Sequence, residues 1–125
     1  MKKLILFAFL TISSSVFAED IYVLRTTIGD HVYNDILTYE SCTPTMVIKG
    51  TLTVPGKFTS QIEDGKCHYS HRNEHLNFRI LVRENNEEYY ATYGLTIAGK
   101  SIGGRILKNG VEMGTIEGEL IYEGK

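Results

Sequence analysis

Two stretches of this chain hold residues at spacings that known chemistry uses. Residues 94–101 read GLTIAGKS, which fits G-x-x-x-x-G-K-[ST], the loop whose backbone amides cradle nucleotide phosphates. Residues 71–75 read HRNEH, the H-x-x-E-H pattern in which two histidines bind zinc and the glutamate serves as base. Each pattern needs a particular local structure. A phosphate loop follows a strand and opens a helix at its Lys-Ser end. Here Leu95-Thr96-Ile97-Ala98 prolong a strand-like alternation. The Ile102-Gly103-Gly104 that follows starts a helix poorly, since each glycine costs roughly 1 kcal/mol there. The zinc pattern needs its histidines one helical turn apart; on an extended strand, His71 and His75 would lie about 13 Å apart. Neither nucleotide binding nor metalloprotease chemistry is expected, and GLTIAGKS reads as a hairpin turning at Ala98-Gly99-Lys100-Ser101.

A looser cluster survives this test. Cys67, His68, His71, Glu74 and His75 fall within nine residues. A tight turn between two strands would bring some of the imidazoles together, so His68, His71 and His75 are candidate ligands for zinc or copper. The competing reading is three histidines on an exposed hairpin. Tyrosine is the other feature suited to recognition, with eight Tyr and no Trp. A tyrosine ring favours burial while its hydroxyl seeks a partner, which suits cavity walls and binding surfaces. Tyr89 and Tyr93 share one strand face with the small Ala91 between them, and Tyr90 points the other way. These three and Tyr33 are the candidate ligand contacts. There is no G-x-S-x-G elbow or other triad signature, and Glu84, Glu87 and Glu88 beside Asn85-Asn86 read as a solvated turn. No catalytic residue, no enzyme activity and no cofactor is expected.

The elements that must position these residues begin after a leader. Lys2 and Lys3, the apolar run Leu4 to Ile12, and Val16-Phe17-Ala18 make up the three regions of an export signal, so residues 1–18 are expected to be cleaved. The apolar run is far shorter than the roughly 20 residues that span a bilayer, so no transmembrane segment is expected in the mature chain. Residues 19–125 then form one domain, periplasmic or secreted, with 11 basic and 15 acidic residues. That mild acidity argues against a nucleic-acid partner. Cys42 and Cys67 are the only cysteines, which in an oxidising compartment reads as one disulfide. Closing that loop would contribute roughly 3 kcal/mol.

Period-two alternation dominates the mature chain, at residues 46–54, 76–83 and 89–98, with no sustained helical spacing. Turn residues separate the runs, most sharply Asn109-Gly110, which suits a type I′ hairpin. The expected fold is all-β: an antiparallel up-and-down meander of about eight strands, near 20–28, 31–39, 45–54, 57–63, 66–70, 74–84, 87–98 and 101–122. The last run splits at 109–110, giving a ninth strand. Gly50, Gly94, Gly103, Gly104, Gly114 and Gly118 sit inside strand-like runs and favour a curled barrel, with a β-sandwich as the alternative. The functional expectation is an exported, non-enzymatic binding domain. It would engage a protein, inhibition being one such role, or a small amphipathic ligand, through a tyrosine-rich barrel face or mouth. The alternative is a periplasmic metal-binding protein built on the histidine cluster.

Overall fold

The computed structural model describes residues 19–40 and 47–124. Within them lie nine antiparallel strands and no helix: β1 (Glu19–Ile28), β2 (His31–Glu40), β3 (Gly50–Val54), β4 (Phe58–Gln61), β5 (Glu63–Ser70), β6 (Asn73–Glu84), β7 (Glu87–Ala98), β8 (Ser101–Lys108) and β9 (Val111–Tyr122). Their order in the single sheet is β4-β3-β2-β1-β9-β8-β7-β6-β5. Every neighbour is therefore a chain neighbour except β1 and β9, the first and last strands, which pair from Ile21↔Tyr122 to Thr27↔Thr115.

The sheet nearly closes on itself. Its two outer strands, β4 and β5, are separated by Ile62 alone. Across this seam the Ile62 amide donates to the Gly50 carbonyl at 3.0 Å and the Ile48 amide to the Gly65 carbonyl at 3.2 Å. Val47 and Lys66 add a bridge, and the Ser60 hydroxyl donates to the Leu81 carbonyl at 3.3 Å. Residues 58–70 thus run as one bent strand, with β3 along one half and β6 along the other. The bend sits at Asp64, where φ is +51° and the β5–β6 register shifts. An extra residue of this kind bends a strand and increases its twist. The meander is a nearly closed barrel rather than a sandwich.

Inward positions follow period two. Leu76, Phe78, Ile80 and Val82 on β6, and Ala91, Tyr93, Leu95 and Ile97 on β7, are all buried. Phe78 and Tyr93 face each other in register and stack with centroids 5.0 Å apart. Ion pairs lie outside, such as Arg25–Glu117 at 3.3 Å and Arg79–Asp64 at 2.8 Å, both exposed. Apolar side chains inside and ion pairs outside are the reverse of the pattern of a lipid-spanning barrel. No described helix is long and apolar enough to cross a membrane. The leader at 1–18 and Cys42 lie outside the described residues. Cys67, at 3% exposure, is buried, and none of the described cysteines is free.

Several glycines are required by how closely the strands approach. A Cβ on Gly118 would lie 2.0 Å from the Val23 carbonyl oxygen, and one on Gly50 2.0 Å from that of Thr38. Gly94, expected to serve the same end, does not: a Cβ there would find only Asn77 Nδ2, at 4.0 Å. Gly118→Ala is therefore expected to lower the unfolding free energy by about 1–3 kcal/mol, the usual cost of overpacking. Gly94→Ala should change it by less than about 0.5 kcal/mol. Denaturant unfolding of the two variants side by side would check this, and equal losses would refute the assignment.

Candidate functional site

At one end of the barrel lie the β1–β2, β3–β4, β6–β7 and β8–β9 turns. A cavity of about 130 Å³ opens there. Ile80, Tyr93 and Ile106 form its buried floor, Tyr33, Phe58, Tyr89 and Met113 its half-buried walls, and Lys57 and Glu84 its exposed rim. Space exists here because inward positions that carry large residues elsewhere carry Thr26, Asp35 and Ala91. At the opposite end the same positions carry Tyr22 and Tyr39, whose rings stack with centroids 6.0 Å apart and fill the interior.

Three of the four tyrosines expected to contact a ligand meet in this cavity. Tyr89 and Tyr93 reach it from β7, with Ala91 between them as the spacing implied, and Tyr33 reaches it from β2. Tyr90 lies on the outer face. Its ring packs beneath the Arg79 guanidinium at 4.0 Å and its hydroxyl donates to Glu63 at 3.4 Å. At the rim, Lys57 Nζ sits 5.2 Å from the Tyr33 ring centroid, and Lys108 Nζ sits 4.2 Å from that of Tyr89.

The residue that sequence reasoning missed is Asp35. It is 2% exposed, on the inward face of β2 in line with Leu37 and Tyr39. Thr26, 1% exposed, donates its hydroxyl to Asp35 Oδ2 at 2.8 Å. Asp35 Oδ1 has no hydrogen-bond partner among the described residues. Burial pushes the Asp35 carboxyl above its ordinary range, and the Thr26 hydrogen bond works against that rise. Burial likewise raises the Tyr93 phenol, with the Asp35 charge adding to it. A signal was present in the sequence, since NDILTY places an acid at the parity of two apolar inward residues.

The filled end has its own acid. Tyr39 donates to Glu74 Oε1 at 3.3 Å, and burial raises the carboxyl of Glu74 and pushes the phenol of Tyr22 up to about 12. The candidate metal ligands divide. His68 and His75 are register partners across β5–β6, with ring centroids 4.8 Å apart, and His75 Nδ1 is 3.0 Å from Thr96 Oγ1. His71 occupies the turn beyond them, with φ +53°. No group of three metal-ligating side chains assembles among the described residues. HRNEH is the β5–β6 turn followed by the start of β6, and Gly99-Lys100 is the turn of the β7–β8 hairpin.

No protein-family model, curated protein or solved structure matches the chain. The reading therefore rests on this geometry: an apolar, tyrosine-walled chamber with a single acceptor oxygen left open in its wall.

The raised carboxyls imply a pH dependence whose sign is fixed. A carboxyl that binds its proton more tightly in the folded chain than in the unfolded one opposes folding when ionised. That penalty disappears as pH falls through the folded value toward the ordinary one. Asp35 and Glu74 act in the same sense. Unfolding free energy should therefore rise as pH drops from neutral toward about 5. Asp35→Asn should stabilise the chain by about 1 kcal/mol at neutral pH and flatten that rise. A chemical-denaturation series across pH checks this; a variant profile parallel to the wild type would contradict it.

Proposed function

We propose that residues 19–125 form an exported binding domain, without catalytic activity of its own, that takes a small amphipathic ligand into the open end of the barrel. One observation carries the reading: Tyr33, Tyr89 and Tyr93 converge on a single cavity among apolar side chains. Pockets of this kind, mostly apolar with a few placed polar groups, suit small-molecule binding, and barrel mouths are a common place for them. The export signal at residues 1–18 supports an extracytoplasmic location. The same reading includes a bridge between Cys67 and Cys42, since both would be oxidised in that compartment.

The metal-binding alternative is weaker on this geometry. It has two imidazoles in contact and a third on the turn, whereas zinc takes three protein ligands in catalytic sites and four in structural ones.

The ligand reading is tested with toluene, benzyl alcohol and benzylamine, titrated into isotope-labelled mature protein and followed by amide shifts. At least one probe should perturb residues of β2, β6 and β7 at the turn end, and Ala91→Phe should abolish the response by filling the cavity. If none of the three perturbs these amides, the proposal fails. The bridge has a separate check. The mature protein, unfolded without reductant, should show no titratable thiol and should lose about 3 kcal/mol of stability on reduction. Two titratable thiols would refute it.

A further inference from the structure

Within this ligand-binding reading, on which the following inference rests, Asp35 defines what the ligand must carry. A carboxylate is acceptor-only when ionised. Thr26 satisfies one Asp35 oxygen at 2.8 Å, while the other, equally enclosed, has no partner among the described residues. An unmet buried acceptor is costly, more so when charged, and native interiors rarely leave one. Asp35 is part of the cavity lining, so a donor held in the cavity could reach that oxygen.

The surroundings separate a cationic donor from a neutral one. Among the described residues the lining contains one basic residue, Lys57, which is exposed at the rim, and the ammonium of Lys108 over the Tyr89 ring is already paired with Glu87 at 3.1 Å. A neutral hydroxyl would meet the oxygen but leave the buried charge uncompensated. An ammonium group would do both, and charge-assisted bonds are roughly twice as strong as neutral ones. The walls favour the same choice, because tyrosine faces attract cations. The Tyr33 and Tyr89 rings already carry lysine ammonium groups at 5.2 and 4.2 Å. The volume limits the rest of the molecule. About 130 Å³ is close to the ~150 Å³ of a cavity that accepts benzene, so one ring or a short branched chain fits.

We propose that the cavity is a site for compact primary amines, in which the ligand ammonium donates to Asp35 Oδ1 and its apolar body packs among Phe58, Val82, Tyr89 and Met113.

Affinities for benzylamine, benzyl alcohol and toluene, three probes of nearly one shape, test this by calorimetry or amide-shift titration near neutral pH. Benzylamine should bind at least about tenfold more tightly than either of the others. Asp35→Asn should erase that preference while toluene binding persists, which also reports that the variant has kept its cavity. If benzyl alcohol or toluene binds wild type as tightly as benzylamine, the amine assignment is overturned and the cavity reading stands. If no probe binds, both fall. Retention of the amine preference by Asp35→Asn would also overturn the assignment. Should that variant fail to fold, the wild-type ranking alone decides.

Discussion

The interior of this protein is governed by how tightly its sheet is drawn round. A small barrel leaves room for little more than the side chains that point into it. Here the strands approach until Gly50 and Gly118 have an opposing carbonyl oxygen where a side chain would begin. With the wall fixed at that radius, the free volume inside is set by the few residues pointing inward and hardly at all by the turns. The chamber is what remains when Thr26, Asp35 and Ala91 stand at positions that a Leu or Tyr would fill.

The two ends of the barrel resolve the same problem in opposite ways. At one, Tyr22 and Tyr39 stack across the interior and their polar tips are taken up locally, Tyr39 by Glu74. The rings there are packed and the Tyr39 hydroxyl has an acceptor, although Glu74 Oε2 has no partner among the described residues. At the other, apolar packing stops short, and the carboxylate with an unmatched oxygen, Asp35, lines an open cavity. A protein under selection for stability alone would place an apolar residue at position 35, because a lone buried charge offers the fold nothing in return. The contrast between two ends of one short barrel is what gives the open end its interest.

Much of this architecture was legible in the sequence because alternation reports which face a side chain takes. The strands at residues 76–83 and 89–98, the Asn109-Gly110 turn with φ +53° and +79°, and the hairpin at Gly99-Lys100 all follow from it. Closure of the sheet was suggested by the number of strand glycines, although only some of them, Gly118 but not Gly94, sit where an opposing strand demands it. Alternation says nothing about which inward residues meet. Tyr33 lies more than fifty positions from Tyr89, and only the strand order brings them to one cavity. The turn between the strands expected at 66–70 and 74–84 was legible too, and the structure sets it at His71-Arg72. Both residues adopt positive φ, at +53° and +71°, and neither is the Asn or Gly that such a turn prefers. Asp35 escaped notice because an acid amid polar neighbours reads as solvent-facing until its parity with Leu37 and Tyr39 is counted.

The pairing of β1 with β9 has a consequence in time. Each hairpin of the meander can form from nearby residues, but the Val23↔Glu119 side of the barrel joins segments separated by almost the whole described chain. Loop-closure entropy must be met before that contact returns any stabilisation, and topologies dominated by such contacts fold slowly. The ladder from Glu63 to Glu119 can assemble as a curved half-shell, yet its inward face stays uncovered until β1 and β2 dock along β9. Barrel closure is thus an event of the complete chain. Until then the apolar stripes of β6 and β7 remain wet, and the binding chamber, whose walls come from both halves, does not yet exist.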